Sequence, residues 1–276
     1  MSPHSLESPS PAVGLSHSSG ARAAVYPDGA QLFTWWPSQG SEVLFVSDRV
    51  ERRPGASFHG GVPIVFPQFA SEGPLPQHGF ARTMRWEMLP RDTMTLVALQ
   101  LTDGPRTRAL WPHAFEAEYA VTLDDRSLAM QLTVTNRDTT RMSFTCALHT
   151  YLRVGDVSQV ELSGLEGCRY RDKVLGTEAV QEEPVLTVPG PVDRVYLDVP
   201  PTLELLDPVI GRTVGVLSDG FVDAVVWNPG EEGTLAFGDL APDDWRHFLC
   251  VEAACVGRPV ELAAGEVWTG RQVLRV

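Results

Sequence analysis

Residues 115–123, FEAEYAVTL, put Phe115, Ala117, Tyr119, Val121 and Leu123 on one face of an extended chain and Glu116, Glu118 and Thr122 on the other. Residues 128–134 repeat the alternation, with Leu128, Met130, Leu132 and Val134 opposite Gln131 and Thr133. A period of two cannot serve a helix, whose faces recur about every 3.6 residues, so both runs are half-buried antiparallel strands. The short polar Asp124-Asp125-Arg126 between them predicts a hairpin. Further strands are predicted over 31–36, 42–46, 94–101, 142–151, 160–163, 213–217, 222–228, 247–256 and 267–275. Gly, Pro and Asp clusters separate them at the short intervals of a sandwich. Helical periodicity is weak, with at most a turn or two near 240–247. The fold class that follows is all-β, a large antiparallel β-sandwich.

A chain of 276 residues fits one such domain. Its first twenty residues, MSPHSLESPSPAVGLSHSSG, are polar and lack both a basic start and an apolar signal core. They predict a disordered leader over 1–20, a single domain over 21–276 and a cytoplasmic protein. No apolar run approaches the roughly 20 residues of a membrane span, so no membrane partner is expected. The net charge of −13 is unevenly placed: residues 1–110 hold nine Arg against nine Asp or Glu, and residues 111–276 hold 13 basic and 26 acidic residues. So acidic a surface repels phosphate backbones, which argues against a nucleic-acid partner. Arg49, Arg82 and Arg85 lie in the balanced part and offer a local positive pocket, whereas Arg52 and Arg53 read as solvated surface arginines. Cys146, Cys168, Cys250 and Cys255 show no metal spacing, and the histidines form no HxH or HExxH pattern, so no metal site is expected. Cys250 and Cys255 would face opposite sides of one strand and could not bridge, so reduced core thiols are expected.

Three places carry polar residues that a sandwich alone does not explain. Residues 57–86, SFHGGVPIVFPQFASEGPLPQHGFARTMRW, interrupt an apolar core with Pro63, Pro67, Pro74 and Pro76. Four prolines forbid a helix or a central strand and leave a stiff loop that holds Gln77, His78 and Arg82 together. An amide, an imidazole and a guanidinium suit a polyhydroxylated or anionic small molecule. In MSFTCALHTYL (142–152), Met142, Phe144, Cys146 and Leu148 share one face, and His149 lies on the other with Ser143, Thr145, Ala147 and Tyr151. That face is either an ordinary solvent-facing side or the floor of a ligand site. In HFLCVEAACV (247–256), Glu252 interrupts a nearly continuous apolar run, in register with Phe248, Cys250 and Ala254. A buried carboxylate is costly unless paired or used, so Glu252 is either an ion-pair partner of an arginine or a working general base. Asp193, in VDRVYLDV (192–199), faces the side opposite Val192, and it either joins a site or pairs with Arg194.

The string HGGVPIVFPQF, then LPQHGFAR and Trp86, resembles the hexose-6-phosphate mutarotases, also called glucose-6-phosphate 1-epimerases, of the aldose 1-epimerase (galactose mutarotase-like) superfamily. The resemblance continues in order through LWPHAF (110–115), ALHTYL (147–152), VDRVY (192–196), VVWNPG (225–230), CVEAA (250–254) and AAGEVW (263–268), and covers residues 23–275. It implies the supersandwich fold and the interconversion of α and β anomers of a hexose 6-phosphate, with no metal, nicotinamide or other cofactor. It implies His149 as general acid and Glu252 as general base, with Gln77, Arg82 and Asp193 binding substrate and His78 beside the pyranose ring. The family usually reads arginine before the GG, where this chain has His59. An imidazole cannot form the bidentate fork of a guanidinium, so the chain departs here from the family's phosphate-holding pattern. A mutarotase of unphosphorylated aldoses and a non-catalytic carbohydrate-binding protein are the alternatives, and retention of both His149 and Glu252 disfavours the second. A monomer or weak homodimer is expected, with a sugar or sugar phosphate as its small-molecule partner.

Overall fold

The computed structural model describes residues 10–90 and 92–276. The chain opens with β1 (Val13–Ser16), β2 (Arg22–Tyr26) and β3 (Gln31–Trp36), then passes through the proline-rich loop containing β4 (Ile64–Val65). β5 (Glu87–Met88) and β6 (Leu96–Thr102) precede a short helix, α1 (Pro105–Leu110), and the hairpin of β7 (Phe115–Leu123) and β8 (Ser127–Asn136). β9 (Met142–Leu148) and β10 (Tyr151–Arg153) follow, then β11 (Glu161–Ser163), β12 (Arg169–Asp172), β13 (Thr177–Val180) and β14 (Val185–Thr187). β15 (Val192–Tyr196), β16 (Thr202–Asp207), β17 (Arg212–Asp219) and β18 (Asp223–Asn228) lead to a second helix, α2 (Gly230–Thr234). The long β19 (Phe248–Leu262) and β20 (Val267–Arg275) complete the described elements.

These strands form two large sheets over one shared core. One sheet has the order β14-β11-β16-β17-β20-β8-β7-β6-β5. The other runs β13-β12-β15-β18-β19-β9-β4, with β10 also paired to β19. The pairings within both are antiparallel, and β1–β3 make a small third sheet. Period-two patterning sets the faces. Phe115, Ala117, Tyr119, Val121 and Leu123 of β7 and Leu128, Met130, Leu132 and Val134 of β8 all enter the main core, and Leu123 pairs with Leu128 across the predicted hairpin. No helix among the described residues is long and apolar enough to cross a membrane.

Several expectations need correction. Residues 1–9 of the expected leader lie outside the described residues, but β1 pairs with β2 and buries Leu15 at 2% exposure. One apolar anchor and a strand partner thus order a segment whose composition is polar. Residues 42–46 make isolated bridges, Leu44 to Leu152 and Val46 to Gly60, rather than a strand. The strand expected over 142–151 breaks after Leu148, so His149 and Thr150 stand between β9 and β10. α1 was not anticipated; Pro105 opens it, and the Thr107 hydroxyl accepts the Gly104 N–H (2.8 Å) and donates to the Gly104 carbonyl (3.0 Å).

A buried polar bridge joins the sheets. Gln272 of β20, 0% exposed, accepts from the Thr150 hydroxyl at 2.6 Å and donates to the Val251 carbonyl of β19 at 3.2 Å. Val251 N–H in turn donates to the Thr150 carbonyl at 3.0 Å. A buried polar group left without its partner costs about 1–3 kcal/mol. Gln272→Ala is therefore expected to lower the urea unfolding midpoint by an amount equivalent to about 1–3 kcal/mol at unchanged slope; an unchanged midpoint would show that the bridge carries no stability.

Candidate active site

β19 presents opposite chemistry on its two faces. Leu249, Val251, Ala253 and Cys255 enter the main core. Phe248 and Cys250 pack on the outer face with Phe45, Tyr151 and Leu240, and Ala254 and Val256 pack there with Val65, Ala147 and Val225. Glu252 falls between these two small apolar clusters and is 2% exposed. Its partner comes from the break in the neighbouring strand. His149 N–H donates to the Pro63 carbonyl (3.0 Å) and Tyr151 N–H to the Gly61 carbonyl (2.9 Å), so the proline-rich loop takes over the pairing that a continuous strand would have made.

This placement brings the His149 Nε2 to 3.3 Å from Glu252 Oε1. The Tyr151 ring stacks on the imidazole at 4.8 Å and 12° and fixes its plane. Burial pushes the Glu252 carboxyl well above the usual carboxylate range, and nearby Asp193 adds to the rise. Burial likewise pushes His149 well below an ordinary imidazole, reinforced by the charges of His78 and Arg82. Both directions have one cause: a dry site disfavours charge, so the pair is expected to hold a single proton between two atoms in contact. His149 Nδ1 and Glu252 Oε2 are buried without a hydrogen-bond partner among the described residues, a state that costs free energy unless a ligand group satisfies it.

The loop supplies the rest of the wall. His78 adopts a left-handed φ of 65° next to Gly79 at 72°, where a Cβ would collide with the Phe66 carbonyl. That turn aims the His78 ring at His149, with centroids 5.7 Å apart. His78 Nδ1 accepts from Ala70 N–H at 3.3 Å, which leaves its Nε2 to carry the proton. Arg82 donates to the Gln77 carbonyl at 3.0 Å, and burial lowers its guanidinium somewhat. His59 Nδ1 lies 2.8 Å from Asp239 Oδ1, and the His59 N–H donates to Oδ2, also at 2.8 Å. Although burial opposes it, these bonds hold Asp239 below the ordinary carboxylate range. Asp193 leans the other way, raised by burial. It does not pair with Arg194, whose Nε binds Asp172 at 2.9 Å.

All seven residues expected from sequence, His59, Gln77, His78, Arg82, His149, Asp193 and Glu252, line one cavity of about 360 Å³. Sites for small molecules run from about 300 to 1,000 Å³. Lys173, Tyr151, Trp227 and Phe237 also line it and were not anticipated as site residues. Tyr151 and Trp227 stood in the motifs ALHTYL and VVWNPG, whereas Lys173 sits in a turn with no sequence signal. Arg53 and Arg85 do not line this cavity: Arg53 pairs with exposed Glu51 at 2.7 Å and Arg85 with Asp28 at 3.7 Å.

The profile of the family described as Aldose 1-epimerase matches residues 11–275. A provisionally named glucose-6-phosphate 1-epimerase of Cenchrus ciliaris is 36% identical over 264 residues, covering 91% of this chain and 80% of that relative. One from Escherichia coli (strain K12) is 34% identical over 239 residues, covering 84% and 79%. The crystal structure of a provisionally named mutarotase from Salmonella typhimurium superimposes with a TM-score of 0.86 at 30% identity, over 92% of this chain and 86% of that one. The chain belongs to the aldose 1-epimerase family.

Burial, then Arg82, Lys173 and His59, lower His78 to about 3. An unfolded histidine titrates near 6.5, so between about pH 3 and 6.5 the unfolded chain binds a proton that the native chain refuses. Stability due to this group is complete above about pH 6.5 and is lost as pH falls toward 3, at no more than about 1.4 kcal/mol per pH unit. His78→Asn, which tolerates the left-handed backbone, is expected to flatten urea-determined stability against pH in this window, leaving the His149 contribution. A variant curve as steep as wild type would contradict the assignment.

Proposed function

We propose that this member of the aldose 1-epimerase family is an isomerase that interconverts the α and β anomers of a hexose 6-phosphate, glucose 6-phosphate being the first candidate. The observation that carries the reading is the 3.3 Å contact between His149 Nε2 and Glu252 Oε1 at the floor of a sugar-sized cavity. The C1 hydroxyl oxygen and the ring oxygen share one carbon, so a donor and an acceptor this close can address both. Glu252 takes the C1 hydroxyl proton while the His149 imidazolium gives its proton to the ring oxygen. The C1–O5 bond breaks, C1 becomes an aldehyde, and the C1–C2 bond rotates. On reclosure the O5 hydroxyl returns a proton to His149 as it attacks the other carbonyl face, and Glu252 gives its proton to the new C1 hydroxyl. Each transfer contributes typically about 10²–10⁴-fold.

The directions set by burial fit this cycle. Carboxylate with imidazolium is the pair before ring opening; carboxylic acid with neutral imidazole is the pair after it. Both states hold one proton; a dry site favours the second, so polar substrate groups entering the cavity must stabilise the first before the ring opens. Arg82 and Asp193 hold the phosphate and sugar hydroxyls, Gln77 and His78 add donors, and Trp227 and Phe237 give the ring apolar faces. Because every one of these residues comes from one chain, a monomer or weak homodimer suffices. Four buried free thiols suit the reducing cytoplasm. A second reading, turnover of unphosphorylated aldoses, is favoured by one observation: His59 is bonded to Asp239, so that pair carries no net positive charge toward an anion.

Glu252→Gln is expected to slow anomer exchange by about 10²–10⁴-fold, measured by exchange NMR at anomeric equilibrium, while glucose 6-phosphate still binds. Near wild-type exchange in that variant would remove Glu252 from the chemistry.

A further inference from the structure

The cavity must supply positive charge for an anionic substituent, and few of its residues do. His59 is bonded to Asp239 at 2.8 Å, so that pair offers no net positive charge, and His78 stays uncharged near neutral pH. Arg82 is one cation on the wall, and Lys173 is another.

We infer that Lys173 is the specificity-determining residue that, together with Arg82, grips the phosphate of the substrate. The inference deepens the proposed function and rests on it. Lys173 follows β12, and its backbone is fixed from several sides. Its N–H donates to the Asp193 carbonyl at 2.7 Å, which ties it to the neighbouring strand β15. Asp172 just before it accepts from Val174 N–H at 3.0 Å and Leu175 N–H at 2.9 Å, closing the turn, and is itself held by Arg194. The ammonium lies 5.1 Å from the centre of the Phe69 ring, a cation–π contact that leans it over the proline-rich loop. Among the described residues its ion pair is with Glu72 at 3.6 Å, both side chains being more than a third exposed at 35% and 40%, and Asp193 on the same wall also feels its charge. An exposed pair of this length holds its members weakly, so Lys173 can exchange Glu72 for a phosphate oxygen at little cost. A lysine on a rigid turn with a loosely held counter-ion at a cavity mouth is arranged to capture an arriving anion.

The test is isothermal titration of glucose 6-phosphate and exchange NMR with glucose 6-phosphate and glucose, on wild type, Lys173→Gln, Lys173→Arg and Glu72→Gln. Lys173→Gln is expected to weaken glucose 6-phosphate binding roughly tenfold and to lower the ratio of kcat/KM for glucose 6-phosphate over glucose by a similar factor, through KM. Lys173→Arg should recover most of that loss, and Glu72→Gln should shift both readouts the opposite way by about two- to threefold. Equal losses on both sugars, no loss of glucose 6-phosphate binding, or weaker binding in Glu72→Gln would each overturn the role of Lys173. A wild type that binds glucose 6-phosphate but exchanges neither sugar would defeat the proposed function instead, with the titration still deciding the fate of Lys173.

Discussion

A carboxyl group in the middle of the longest strand can persist only where something else offsets its burial. Among the described residues Glu252 has no arginine or lysine within ion-pairing distance; its contact is His149, also buried and also unfavourable as an isolated charge. The proposed sharing of one proton would make the two tolerable together. Their separation is set from behind, where Gln272 holds Thr150 and the Val251 carbonyl, the residues next to His149 and Glu252 in sequence. A bridge between the two sheets thus holds the backbone beside both side chains from the core side, out of reach of solvent.

The site follows from that constraint. Breaking the strand at His149 frees the imidazole to reach β19, and the loop bonds of Pro63 and Gly61 repair the lost pairing. The same loop, turned by His78 and Gly79 in left-handed conformations, carries His78 and Arg82 to the cavity. Scaffold and site are therefore not separate designs: the interruption that weakens the sheet is the feature that brings the imidazole to the carboxylate.

Much of this was legible in sequence because it is local or strictly periodic. The alternation in β7 and β8 marked both strands and their hairpin, and parity grouped Glu252 with Phe248, Cys250 and Ala254, a face that the structure places opposite the main core. Cys250 and Cys255 do lie on opposite faces of β19, by the same parity. Distance in sequence hid the rest. Asp239 meets His59 across 180 residues, and Cys255 sits directly opposite Cys146 of β9, pairings that no local pattern encodes. β1 was masked by its polar surroundings, with Leu15 as its buried apolar anchor. Lys173 escaped notice because a lone lysine in a turn looks like any solvated charge until the fold shows what faces it.

The central claim is that His149 and Glu252 act as one unit on one proton. The direct measurement is the anomer-exchange rate of His149→Asn, Glu252→Gln and the double variant under identical conditions. Groups that share a single proton fail together, so the account predicts that all three rates fall to nearly the same floor. If the double variant instead loses the product of the two single losses, the residues act independently and the shared-proton account is wrong.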